Sequence, residues 1–148
     1  MDFNLATRLQ RSPDAIWPVL LDVRRIAACI PGCEQVEEVA ALAHYRAVMK
    51  QKIGPFRLEV PAEIFVDEVS PRQCVKAHAS GRDKLTGTTF KVSFAVSLAP
   101  AAQGSTLTVD AGLTVAGRLA SLGYAVIKKR AEENFAEFNQ RLAAELAT

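Results

Sequence analysis

The sequence predicts an α+β fold in which a curved antiparallel sheet of seven strands grips a long C-terminal helix, with two short helices after the first strand. Three observations carry this prediction. Apolar residues alternate with period two in successive segments between residues 34 and 115, and turn residues separate the segments. From Gly117 onward the apolar spacing changes to threes and fours. Strands and helices are also segregated along the chain, which excludes an alternating α/β arrangement.

The first strand covers residues 2 to 10, with Phe3, Leu5, Thr7 and Leu9 on one face. Ser12, Pro13 and Asp14 then supply an N-cap, a proline at the first helical position and an acid for the helix dipole. Ile16, Trp17, Leu20 and Leu21 give this short helix an apolar face, and Pro18 removes an interior donor and is expected to bend it. Asp22 caps a second short helix over residues 23 to 29.

A brief strand follows at residues 34 to 39, then a hairpin of residues 43 to 53 and 56 to 67 joined through "IGPF". In its first arm, His44, Arg46, Lys50 and Lys52 face water, opposite Tyr45, Ala47, Met49, Gln51 and Ile53. In its second arm, Phe56, Leu58, Val60, Ala62, Ile64 and Val66 oppose Arg57, Glu59, Glu63 and Asp67. Pro61 in mid-strand predicts an edge or a bulge. Strands over 72 to 80, 86 to 98 and 105 to 115 complete a sheet with one wet side, with "SGRDKLTG" and "APAAQGS" as loops. The last element is read as one helix of about eight turns from Gly117, with Leu119, Leu122, Val126, Ala131, Phe135, Phe138, Leu142 and Leu146 on its stripe.

A chain of 148 residues suits one domain over residues 1 to 148. Basic residues number 18 against 16 acidic, a net charge of +2, and no block of five like charges occurs, so nucleic acid is not implied. The N-terminal "MDFNLATRLQ" carries an acid and no long apolar run, which argues against a secretory signal. No apolar stretch approaches the roughly 20 residues that span a bilayer. A cytoplasmic location is expected, with at most peripheral membrane association. The three cysteines do not suggest a disulfide framework there.

The sheet face that should meet the helix carries Ala47, Ala62, Ala77, Ala79 and Ala111, with Gly112 beside them. Alanines where a packed core would hold leucines predict a cavity between sheet and helix. Tyr45, Gln51 and threonines near the rim are its few polar groups; the alternative is a helix packed tightly on the alanines. Burying about 400 Å² of ligand hydrocarbon at about 25 cal/mol/Å² contributes roughly 10 kcal/mol, against an association cost of about 4 kcal/mol or more. Burial alone therefore supports micromolar binding.

The case for catalysis is weak. A general acid or base must reach the substrate, yet His44 and His78 fall among the charges of the wet face, where solvated histidines are expected. No Ser-His-Asp arrangement, phosphate-binding lysine loop or GxGxxG run occurs. Cys29 and Cys33 are spaced CxxxC around Pro31 and Gly32 in "ACIPGCE", without the second ligand pair a zinc site needs. They read as a turn between helix and sheet, with a reversible thiol switch as the other reading. "KKR" at 128 to 130 fans around a helix and is followed by "AEEN", which makes a solvated, charge-balanced face. No cofactor or metal is called for.

Several of these stretches together resemble a known family. "SPDAIWPVLLD", "CIPGCE", "KIGPF" and "GRLASLGYAVIKKRAEENFAEF" are similar to the START-like, polyketide cyclase helix-grip superfamily, and within it to the carbon monoxide dehydrogenase CoxG family. The resemblance implies a seven-stranded sheet wrapped around a C-terminal helix with a hydrophobic tunnel between them. It also implies an accessory role beside molybdenum-containing hydroxylases of the carbon monoxide dehydrogenase type, in membrane recruitment or in handling a lipophilic quinone.

The expected function is accordingly a non-enzymatic binding module for an isoprenoid quinone or lipid. Its candidate contacts are Tyr45, Met49, Phe56, Leu58, Val60, Phe90, Phe94, Val109, Leu113, Leu122 and Val126: aromatics for a flat headgroup, Met49 for an irregular tail. Alternatives are an assembly or recruitment factor acting through its surface, and a small cyclase or hydrolase of the kind the superfamily includes.

Overall fold

The computed structural model describes residues 1–147. In chain order the elements are β1 (Asp2–Leu9), α1 (Pro13–Leu20), α2 (Val23–Ala27), β2 (Cys33–Ala40), β3 (His44–Ile53), β4 (Phe56–Ser70), β5 (Cys74–Arg82), β6 (Thr89–Ala101), β7 (Gly104–Ala116), a short 3-10 helix (Arg118–Leu122) and α3 (Tyr124–Ala147). The seven strands form one antiparallel sheet in the order β1-β7-β6-β5-β4-β3-β2. It is the curved sheet on a long helix that the alternation predicts.

From β2 to β7 each strand pairs with its successor, while β1 docks on β7 with Asp2 opposite Gly112 and Leu9 opposite Ser105. Consecutive strands β1 and β2 therefore lie at opposite edges, and α1 and α2 must carry the chain between them. Both helices start as the sequence indicates. Ser12 Oγ accepts from the Ala15 amide at 3.3 Å, and Asp22 Oδ1 accepts from the Arg25 amide at 3.3 Å. α1 retains Pro18 within it, and α2 ends at Ala27.

The turn after α2 is held by three backbone features. Cys33 N donates to Ile30 O at 3.0 Å, Gly32 takes φ +82°, and Lys50 N on β3 donates to Gly32 O at 2.8 Å. A Cβ at residue 32 would stand 2.0 Å from Lys50 O, so only glycine fits between this turn and β3.

One expectation is narrowed and another needs correction. Pro61 marks no bulge, since the irregularity of β4 lies between Val66 and Glu68; of the two readings β4 shows the edge, a local one, because its residues before Ala62 pair with β3 alone. Pro61 sits opposite Val48 of β3, one residue beyond the last β4–β5 pair, Ala62 with Gly81. It stands where the pairing of β5 with β4 has ended, so its missing N–H costs no β4–β5 ladder bond there. Secondly, the C-terminal helix is not continuous from Gly117. The 3-10 helix ends at Gly123, whose φ of +93° is foreign to a right-handed helix, and α3 starts at Tyr124. The break resets the phase of the stripe, so that Ile127 is buried and Val126 is 45% exposed.

Packing divides into two clusters. One joins Leu9, Ile16, Leu20, Leu98, Leu107 and Val109 to Phe138, Leu142 and Leu146 in the second half of α3. The other joins Ile53, Leu58, Val60 and Leu119 to Ile127 at the start of α3. Each fully buried large aliphatic contributes about 1.5–3 kcal/mol, so α3 is pinned near both ends.

The β5–β6 loop is tied down by polar contacts. Asp83, 3% exposed, accepts from the Thr86 amide at 2.9 Å and the Thr86 hydroxyl at 2.6 Å. Thr88 Oγ1 accepts from the Leu119 amide at 3.2 Å and so binds the loop to the 3-10 helix. Those hydrogen bonds, the Thr86 hydroxyl first, hold the Asp83 carboxyl below its ordinary range.

Candidate functional site

Between the two packed clusters the interior is open. A cavity of about 300 Å³ lies between the sheet, the end of α1, α2 and the turn after it, and α3 from Ile127 to Leu142. Its cause is side-chain size. Ala47, Ala62, Ala77, Ala79 and Ala111, the small residues of the inward face, all line it together with the neighbouring Gly112, and α3 sets Ala131 and Asn134 among its facing residues. The large residues above and below hold sheet and helix apart, and methyl groups cannot fill the interval.

Six of the eleven predicted contacts line this cavity: Met49, Leu58, Val60, Phe90, Phe94 and Leu113. The other five are placed elsewhere. Tyr45 is 3% exposed, and its hydroxyl accepts from the Leu42 amide at 2.8 Å, closing the β2–β3 turn. Val109 is consumed by the first packed cluster; Phe56 and Leu122 lie against the second. Val126 points outward because the break at Gly123 rotates the helix face.

Sequence periodicity overlooked the opposite wall. Val23 and Ile26 of α2, Ile30 and Cys33 of the turn, and Arg130 and Asn134 of α3 also line the cavity. A helical count begun at Ile127 rather than Leu119 would have found Arg130 and Asn134, three and seven residues on.

Polar groups gather at one place on this wall. Asn134 Nδ2 donates to Gln51 Oε1 at 3.0 Å, and Gln51 Nε2 donates to the Pro31 carbonyl at 2.7 Å. Gln51 thus links β3, α3 and the turn around Pro31. Beside it the Cys33 thiol is pushed up to about 11 by burial and by the neighbouring Glu34 carboxylate. Cys29 is also raised, chiefly by burial, and all three cysteines are free thiols.

The histidines stand on the other side of the sheet. His44 stacks on Phe65 with centroids 4.4 Å apart, and Phe65 stacks on His78 at 5.3 Å. His78 Nδ1 lies 2.7 Å from an Asp67 oxygen, and His44 Nε2 lies 3.3 Å from Glu63. His44 is less solvated than alternation suggests, its side chain only 19% exposed beside Phe65, whereas His78 is 49% exposed, as a wet-face residue should be. Among the described residues no helix is long and apolar enough to cross a membrane.

The fold has solved relatives. A conserved protein from Geobacillus kaustophilus superposes with a TM-score of 0.84 at 21% identity, over 99% of this chain and 95% of the other. The AHSA1 protein from Silicibacter pomeroyi gives 0.66 at 20% identity, over 99% and 98% of the two chains. Ara h 8.0201 gives 0.63 at 15% identity, over 100% and 99%. At these identities the likeness is one of fold. None of the curated proteins matches the chain in sequence. The family model for the G subunit of carbon monoxide dehydrogenase (CoxG), however, matches residues 6–147, nearly the whole length, and the chain belongs to that family.

Proposed function

We propose that this protein is a non-catalytic carrier of a hydrophobic small molecule, an isoprenoid quinone or a lipid, held between the sheet and α3. We further propose that it serves a molybdenum hydroxylase of the carbon monoxide dehydrogenase type. The observation that carries the reading is the cavity of about 300 Å³ with its almost wholly hydrocarbon wall. Family membership supports the accessory role.

The volume stands at the lower end of the roughly 300–1,000 Å³ typical of small-molecule sites. A quinone ring or part of an acyl chain fits within it, and a long isoprenoid tail must leave through the mouth or spread α3 from the sheet. Both histidines, the usual acid-base groups at neutral pH, lie across the sheet from the cavity, stacked on Phe65.

Native mass spectrometry of the purified protein, followed by solvent extraction, tests the proposal. A stoichiometric quinone or lipid supports it. A mass that stays that of the bare chain after quinones and fatty acids are offered overturns it. That second outcome would favour a factor acting through protein contacts, for which Leu85, 89% exposed, and Tyr124, 62% exposed, are the first surface positions to substitute.

A further inference from the structure

We propose that the cavity is built for an amphiphile and not for a plain hydrocarbon, and that Arg130 holds the amphiphile's polar end through a carbonyl or carboxylate oxygen. This inference rests on the reading of the cavity as a binding site and adds the chemical class of its ligand.

Arg130 is among the residues that line the cavity, beside Gln51 and Asn134 in a largely apolar wall. Its Nε is shielded from solvent and has no hydrogen-bond partner among the described residues. A buried donor without an acceptor is disfavoured, and native proteins keep few of them. The rest of the guanidinium is only loosely committed: Nη1 reaches Glu133 Oε2 at 3.4 Å, one helical turn away on the exposed side. With its side chain 39% exposed, Arg130 stands where cavity meets water, its stem along the wall and its head at the mouth.

Neighbouring polar side chains are already engaged with one another and with the backbone, each amide nitrogen holding at least one partner. Gln51 spends its carbonyl on Asn134 and an amide proton on Pro31, and Asn134 spends a proton on Gln51. They fix the wall beside Arg130 and leave its Nε as the donor in need of an acceptor. A ligand with an sp² oxygen at one end and a hydrocarbon body satisfies the mouth and the interior together. Arginine suits this role because its charge is permanent and its N–H groups point in fixed directions.

The experiment measures displacement of a cavity-bound fluorescent dye from the full chain by dodecanoate, 2-dodecanone and dodecane. Wild type is compared with Arg130→Met and Arg130→Lys, and circular dichroism checks that each variant folds. Arg130→Met is expected to weaken dodecanoate and 2-dodecanone by about tenfold, the loss of one hydrogen bond, with dodecane unchanged. Arg130→Lys distinguishes the two oxygen classes: recovery of dodecanoate alone identifies a carboxylate site, and loss of both identifies the directional Nε–H as the requirement. Equal binding of all three probes by wild type and Arg130→Met overturns the anchor and leaves the cavity reading standing, as does an equal loss of all three. Failure of every probe to bind the wild type overturns both.

Discussion

Gln51 on β3 and Asn134 on α3 meet across the cavity wall at 3.0 Å, and the same Gln51 side chain reaches the Pro31 carbonyl at 2.7 Å. One glutamine thereby fastens the sheet to the long helix and to the turn that follows α2. Replacing it with leucine keeps the side chain's bulk and leaves a half-buried amide and carbonyl without partners. Gln51→Leu is expected to lower stability by about 1–3 kcal/mol, read as a lower midpoint in urea with an unchanged slope. An unaltered midpoint would show that water replaces both bonds without cost.

Filling the cavity should separate binding from folding. Ala111 lies on β7 between Phe3 of β1 and Phe94 of β6, and it lines the open space. Ala111→Phe is expected to eliminate binding of any apolar probe while overpacking costs only about 1–3 kcal/mol. Dye binding and thermal unfolding of the same sample check both halves; retained binding would place the ligand elsewhere.

The buried carboxylate of the β5–β6 loop gives a pH dependence of definite sign. Hydrogen bonds from the Thr86 hydroxyl and amide and from the Glu59 amide depress Asp83 below its ordinary value. Its contribution is therefore complete above the unfolded carboxylate value of about 4 and is lost as pH falls through the lower folded value. Asp83→Asn should be less stable than wild type at neutral pH and lose less stability between about pH 5 and 2. Parallel acid limbs for the two proteins would contradict this.

Thiol labelling reads the turn at residues 28 to 34. With its pKa at about 11, Cys33 is protonated at neutral pH, and only the thiolate is an effective nucleophile. Iodoacetamide modification of Cys33 should be slow near neutral pH and accelerate toward about pH 10, and a bound probe should protect it because Cys33 lines the cavity. Peptide mass mapping over time provides the check, and rapid labelling at neutral pH would revive a redox role for this thiol.

The Gly32 contact supplies a stability test of the same turn. Alanine there would place a Cβ 2.0 Å from the Lys50 carbonyl while keeping a positive φ of 82°. Gly32→Ala is expected to destabilise by more than about 1 kcal/mol, whereas Ala28→Ser, in the same segment, should have a smaller effect. Equal unfolding midpoints for Gly32→Ala and wild type would mean that the turn moves freely away from β3.

The class of fold and the emptiness of its middle were legible in residue order alone. Alternation in β1 and in the β3–β4 hairpin assigns inner and outer faces without reference to any partner, because the strand period is a property of the local chain. Ser12 and Asp22 announce their helices by the same local logic. The five alanines of the inner face, with Gly112 beside them, could be recognised as a gap because residue volume is written in the sequence. What encloses that gap was settled by contacts between distant segments. β1 leaves the chain's order to pair with β7, and only this crossing brings α2 and the turn at Pro31 over the cavity. Gly123 broke a stripe that composition alone draws as continuous, turning Val126 outward and Ile127, Arg130 and Asn134 inward. Tyr45 and Val109 share a period with the lining residues but spend their side chains on a turn and on a packed cluster. Periodicity reports which face a residue occupies; which part of that face stays open depends on what packs there from distant parts of the chain.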